Sequence, residues 1–224
     1  MIEKMANPIL FFVLAGLFLV FAILQLVFAF IENKKLRAIT KPFCSLLLGL
    51  LFLAVDPALY LLTIAFSCSC IGDIFFLFKE HHKLIVLGTF FFFLGHLLFI
   101  GKYLMISSSF SLPYILVLLS ILAILFVLLY LNVRKIETNR ANRIGAPLYF
   151  ATLLVHWGSS LYATIRVGIL FFCLIGASFF LFSDILIVYH KKVKPLKKRD
   201  FFVMSTYLVA LVFLTIGFLA VTLA

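Results

Sequence analysis

PFCSLLLGLLFLAVDPALYLLTIAFSCSCIGDIFFLF, residues 42–78, is the stretch whose reading decides the fold. Its 37 residues carry only Asp56 and Asp73 as charged side chains. As one helix it would run about 55 Å at 1.5 Å per residue, nearly twice the ~30 Å apolar core of a bilayer. Asp56-Pro57 supplies the break, because a proline disfavours helix in the residue before it and cannot continue a helical hydrogen-bond ladder. The stretch therefore reads as two crossings, 42–55 and 57–78. Working outward, apolar runs of spanning length recur at 8–31, 84–103, 112–131, 144–165, 167–189 and 201–224. The first, with Gln25 as its only strongly polar side chain, is too long for a cleaved signal peptide and lacks a small-residue cleavage site. The expected fold is all-α and polytopic, with eight transmembrane helices in a single transmembrane domain over residues 1–224.

Composition requires the same class. Apolar residues make up 66% of the 224, against about 45–50% in soluble domains, and charged residues are 12%, roughly half the usual ~25%. The formal charge of +11 would suggest nucleic acid in a soluble chain. Here the basic residues sit in short runs between apolar segments, which argues for membrane loops and no nucleic-acid partner. The four cysteines, Cys44, Cys68, Cys70 and Cys173, all lie inside apolar segments without a disulfide or zinc spacing.

The basic residues also orient the chain. The loops joining helices 1–2, 3–4, 5–6 and 7–8 hold 16 of the 19 Lys and Arg, and only Lys4, Lys102 and Arg166 fall on the other side. The positive-inside rule puts those four loops in the cytosol and both termini outside it. This describes a multi-pass integral membrane protein, of the inner membrane in a bacterial cell. Gly72-Asp73-Ile74 is echoed by Ser183-Asp184-Ile185, and Lys41-Pro42 by Ala146-Pro147. With a gap allowed, these echoes suggest two parallel four-helix repeats, as in some transporters.

Ionisable groups inside spans are the informative ones, since a charge at the bilayer centre costs about 2.5–3.5 kcal/mol even on lenient scales. Asp73, Asp184, His96 and His156 stand out. Asp73 lies six residues before Lys79, and Asp184 six before His190, so both carboxyls fall about 9 Å inside the cytosolic boundary. Thr63, Ser67, Cys70 and Asp73 share one helix stripe, and Tyr149, Thr152, His156 and Ser159 another. Together they suggest a polar cavity open to the cytosolic half. Each has a plainer reading as well: interhelical hydrogen bonds for the aspartates, packing for the histidines, and for Lys41 a side chain that snorkels to the interface.

At these residues the chain resembles the lysoplasmalogenase (YhhN) family of eight-helix membrane proteins. Lys41-Pro42 is similar to the family's Lys-Pro at the start of helix 2, Gly72-Asp73 to its Gly-Asp in helix 3, and Pro147-Leu148-Tyr149 to its Pro-x-Tyr in helix 6. Gly88 followed by phenylalanines and Gly95-His96-Leu97-Leu98 resembles its helix 4, with Phe99 where a tyrosine is common. Gly176-Ala177-Ser178-Phe179-Phe180-Leu181-Phe182-Ser183-Asp184 matches the GA-x-x-F-x-x-SD signature, the most specific of the set. Two positions depart: the methionine expected in helix 6 falls at Val155 or His156, and Leu211 replaces the glutamine of the Tyr-x-x-Ala-Gln expected from Tyr207.

The resemblance implies hydrolysis of the vinyl ether of lysoplasmalogens to a fatty aldehyde and glycerophosphoethanolamine or glycerophosphocholine. A vinyl ether yields to acid, so the reaction needs a protonated carboxyl and a carboxylate. Two aspartates sharing a poorly solvated site provide both, because like charges at short range resist joint ionisation. Asp73 and Asp184 are thus the expected catalytic pair, with Lys41, His96, Tyr149 and His156 as substrate contacts. The expected partners are the lysoplasmalogen substrate and membrane lipids, and neither cofactor nor metal is called for. A zinc site from His96, His156 and an aspartate lacks an HxxxH-like spacing, and Ser107–Ser109 and Ser159-Ser160 lack a GxSxG elbow. The alternatives are a proton-coupled lipid or small-molecule transporter using the aspartates as a relay, and a non-catalytic lipid sensor.

Overall fold

The computed structural model describes residues 5–78, 81–107, 112–133 and 140–224. Lys4, Lys79, Arg134 and Lys135 of the basic-residue argument, and Ser108 and Ser109, lie outside them. Among the described residues the chain is helical throughout: α1 Pro8–Phe30, α2 Lys34–Val55, α3 Tyr60–Phe75, α4 His82–Ile106, α5 Leu112–Val133, α6 Arg140–Arg166, α7 Phe171–Lys192 and α8 Arg199–Leu223. Helices satisfy every backbone group within the segment, which is what a bilayer demands. Among the described residues six of them, α1 to α4, α7 and α8, are long and apolar enough to cross a membrane, and α5 adds the apolar stretch Leu119–Val133. The chain is a multi-pass membrane protein.

Local chemistry sets the helix ends. Asn7 accepts a hydrogen bond from the Leu10 amide at 3.0 Å, with Pro8 in the first turn, and Asn33 does the same for Leu36 at 3.2 Å. At the break in residues 42–78, Asp56 adopts an extended conformation and its Oδ1 accepts from the Ala58 amide at 2.8 Å. A 3₁₀ turn, Pro57–Leu59, then leads into α3. The N-terminal segment covers the break: the Ala6 and Asn7 amides donate to the Val55 and Ala54 carbonyls, each at 2.8 Å.

One boundary differs in a way that matters. A second helix starting at Pro42 was expected, but α2 starts at Lys34 and runs through the proline. The Asn33 cap initiates it two turns earlier. Pro42 has no amide hydrogen for the Ala38 carbonyl, and Ala38 lies on the wall of the central cavity. Pro147 likewise sits inside α6 rather than at its start. The added turns of α2 carry Arg37 and Lys41 onto the site.

Helices α2, α3, α4, α6, α7 and α8 enclose the centre, with α1 packed on α2 and α8, and α5 on α6. Close crossings position the aspartates. A β-carbon on Gly72 would stand 3.1 Å from the Gly88 carbonyl oxygen and 2.6 Å from the Phe92 ring, so α3 and α4 meet backbone to backbone beside Asp73. On α7, a β-carbon on Gly176 would meet the Leu214 nitrogen at 2.8 Å and the Ala210 oxygen at 2.9 Å on α8.

Candidate active site

The six inner helices surround a cavity of about 830 Å³. Its body is walled by aromatic side chains of α3, α4, α6 and α7, among them Phe76, Phe92 and Phe180. Phe76 and Phe92 stack with ring centroids 5.5 Å apart, and Phe92 meets Phe180 edge-on at 6.3 Å. Besides the polar groups around Asp73 and Asp184, a cluster of charged ones lies at one end, on the starts of α2 and α8 and the end of α7: Lys34, Arg37, Lys191, Arg199 and Asp200. An apolar body with a basic mouth suits an amphiphile whose head is an anion.

Asp73 and Asp184 both line this cavity, and each is held by a tyrosine from another helix. Lys41 Nζ lies 2.6 Å from Asp73 Oδ1, and the Tyr207 hydroxyl donates to Oδ2 at 3.0 Å. Asp73 has no exposed surface, so Lys41 is the cation that compensates it. Lys41 also sits 5.3 Å from the centroid of the Tyr207 ring. Asp184 receives the Tyr149 hydroxyl on Oδ2 at 2.7 Å. Its neighbour Ser183 donates to the Val203 carbonyl at 3.1 Å and fastens α7 to α8 beside it. Two carboxyls therefore face one cavity, one beside an ammonium and the other hydrogen-bonded by a neutral hydroxyl.

Of the expected substrate contacts, Lys41 and Tyr149 line the cavity, whereas His96 and His156 lie behind its wall. The histidines bond to each other, Nδ1 to Nδ1 at 2.8 Å, and the Tyr103 hydroxyl is 3.3 Å from His156 Nε2. Both are buried, with the His96 ring against Phe180 at 4.6 Å and Tyr149 at 5.9 Å. They back the wall that presents Tyr149. Among the described residues no group of three or more His, Cys, Asp or Glu is placed to hold a metal ion, and His96 and His156 have no third ligand. Within the expected polar stripes, Asp73 and Tyr149 reach the cavity, whereas Thr63 donates to the Gly49 carbonyl at 2.9 Å and Thr152 back-bonds to Leu148 at 2.8 Å.

Two features were not read from the sequence. Tyr207 was noted only as part of a helix 8 motif, yet it binds Asp73 across 134 residues. Gln25, noted as the only strongly polar group of the first span, is fully buried. Its Nε2 donates to Met204 Sδ at 2.9 Å, and its Oε1 accepts from the Thr40 hydroxyl. This ties α1 and α2 to α8, one residue from Lys41 and at Met204 of the cavity wall. Polarity inside an apolar run was the available signal, but it did not reveal the partner.

The YhhN family model matches residues 36–218, from the first turn of α2 almost to the end of α8. The chain belongs to the YhhN family. The matched range contains Lys41, Asp73, Tyr149, Asp184 and Tyr207, and leaves Glu32 and Lys34 outside. No curated protein and no solved structure matches the chain.

Proposed function

We propose that the protein is a lysoplasmalogenase-type hydrolase that cleaves the vinyl ether of 1-alkenyl lysophospholipids. The observation that carries this reading is the pair of carboxyls on one cavity with unlike partners, Asp73 against Lys41 and Asp184 against Tyr149. Asp184 is the proton donor and Asp73, beside the ammonium, the carboxylate. The alkenyl chain lies among the phenylalanines, with the ether near the two aspartates and the head towards the basic mouth.

The steps balance without a co-reactant other than water. Asp184 transfers its proton to the β-carbon of the double bond, leaving an oxocarbenium ion on the α-carbon and ether oxygen. Water adds to the α-carbon and gives up a proton to a carboxylate, forming a hemiacetal. The hemiacetal hydroxyl then gives its proton to a carboxylate while the glycerol oxygen takes one from a carboxyl, and the C–O bond to glycerol breaks to release fatty aldehyde and glycerophospho-alcohol. The Asp73 carboxylate stabilises the cation, and Lys41 and Tyr207 hold that carboxylate in place.

The accompanying topology has eight spans and both termini outside the cytosol, with α5 and α6 added to the six candidate spans above. Repeated construction supports it. Prolines sit inside α2 and α6, 3₁₀ turns precede α3 and α7, and the packing of α2 on α8 has its counterpart in α6 on α4. The direct test is to incubate the purified protein with a lysoplasmalogen in detergent and measure aldehyde. No aldehyde above the protein-free rate would overturn the assignment.

A further inference from the structure

A smaller polar cleft of about 320 Å³ adjoins the mouth of the large cavity. The two share Lys34, Arg37, Arg199 and Asp200, so a ligand with an apolar tail and a polar head can occupy both. The cleft adds Glu32, His190, Leu196 and Lys198 to those four, with His190 Nδ1 accepting from the Leu196 amide at 3.0 Å. Arg37 stands four residues before Lys41 on α2, about 6 Å along the helix axis. A phosphate at the cleft is thus within one helical turn of the group that holds Asp73.

The charges in the cleft are not equivalent. Asp200 is ion-paired with Arg37 and lies 3.3 Å from Arg199 Nη1. Lys198 Nζ donates to the Phe30 carbonyl at 2.8 Å and reaches Glu32 only at 3.8 Å. The Glu32 side chain is 61% exposed, leaving most of its carboxylate for another cation. Its backbone is also unusual, with φ 58° just past the end of α1. Glycine is the usual residue at that left-handed helix-end position, because a β-carbon makes it costly. A glutamate there keeps an acid at the cleft against the preference of the backbone.

We infer that this cleft reads the headgroup of the lipid whose chain enters the cavity, with Lys34, Arg37 and Arg199 taking the phosphate and Glu32 a primary ammonium. A phosphoethanolamine head is therefore preferred to phosphocholine. A primary ammonium donates charge-assisted hydrogen bonds to a carboxylate, whereas a quaternary one has no N–H and favours aromatic cages. Among the described residues no Phe, Tyr or Trp lines the cleft, and the one aromatic face that a lining residue meets, Phe30, is covered by Lys198 Nζ at 4.7 Å. The inference rests on the lipid-substrate reading above and specifies which head that substrate carries.

The test uses 1-O-alkyl lysophospholipids, whose saturated ether has no double bond to protonate, so binding is measured without turnover. In detergent, the ethanolamine lipid should bind about tenfold tighter than the choline lipid, within reach of one charge-assisted hydrogen bond. Glu32→Gln should bring the two within about twofold by weakening only the ethanolamine lipid. Glu32→Gly should do the same while raising thermal stability, because glycine fits the backbone there. A purely structural Glu32 would leave the discrimination unchanged. Equal binding of both lipids to the unaltered protein, or a preference surviving in both variants, would overturn the inference. Inorganic phosphate and glycerophosphoethanolamine at the lipid's concentration should not displace it. Displacement as strong as the lipid's own would assign the cleft to soluble phosphates instead. Absence of aldehyde release from a lysoplasmalogen, with the binding preference intact, would remove the hydrolase reading and leave the headgroup site standing.

Discussion

The Tyr149 hydroxyl donates to Asp184 Oδ2 at 2.7 Å, joining α6 to α7 at the cavity wall. In the proposed hydrolysis this bond would leave Oδ1 to carry the transferable proton and would orient it. General acid help is typically worth about 10²–10⁴-fold. Asp184→Asn should thus lower aldehyde release by at least about 10²-fold with the thermal melt little changed. Tyr149→Phe, which only frees the orientation, should cost less. A folded Asp184→Asn protein with near-normal turnover would exclude Asp184 as the acid.

Lys41 and Asp73 should show strong thermodynamic coupling. Asp73 is fully buried, and losing one partner of a buried ion pair typically costs about 3–5 kcal/mol because it strands the other charge. Lys41→Met should destabilise the protein by that order in detergent unfolding. Lys41→Met with Asp73→Asn should regain most of it, because neither charge remains. Additive losses in the double variant would mean that the two side chains do not act as a pair.

The α7–α8 crossing should tolerate no added methyl. Gly176→Ala places a β-carbon under 3.0 Å from backbone atoms of Leu214 and Ala210, so a helix must move. Overpacking of this kind typically costs about 1–3 kcal/mol. A lower melting temperature with reduced turnover is the expected outcome, since Asp184 lies two turns along the same helix. An unchanged melt would show that the helices are further apart.

Substrate class separates acid chemistry from ester hydrolysis. Lyso-alkenyl lipids should give aldehyde, and lyso-acyl lipids should give little fatty acid, as the cavity presents two carboxyls and no serine hydrogen-bonded to a histidine among the described residues. Mass-spectrometric product analysis of matched lipids decides it. Comparable fatty-acid release from the acyl lipid would point to a different reaction.

Orientation can be checked with reporter fusions. One at Lys194, in the basic segment between α7 and α8, should report the cytosol, and one after Ala224 the opposite side. A cytosolic C-terminus would overturn the eight-span reading.

The helices and the two aspartates were legible in the sequence because their causes are local. An apolar run long enough to span a bilayer has to form a helix, as no solvent there can satisfy its backbone groups. Asp56-Pro57 breaks a run by its own stereochemistry, and Asp73 and Asp184 stand out because a buried charge is costly without a partner. The start of α2 was less legible: Pro42 was expected to mark it, whereas the Asn33 cap does so two turns earlier.

Which groups meet was decided only by tertiary structure. Tyr207 is 134 residues from Asp73, and Met204 is 179 from Gln25, so no local pattern couples them. His156 lies on a polar stripe expected to line a cavity and His96 was an expected substrate contact, yet they pair with each other behind Phe180 and Tyr149. Helix periodicity determines the face on which a residue sits. Close crossings at Gly72 and Gly176 set the separation and rotation of neighbouring helices, and thereby which face opens onto a cavity and which onto another side chain.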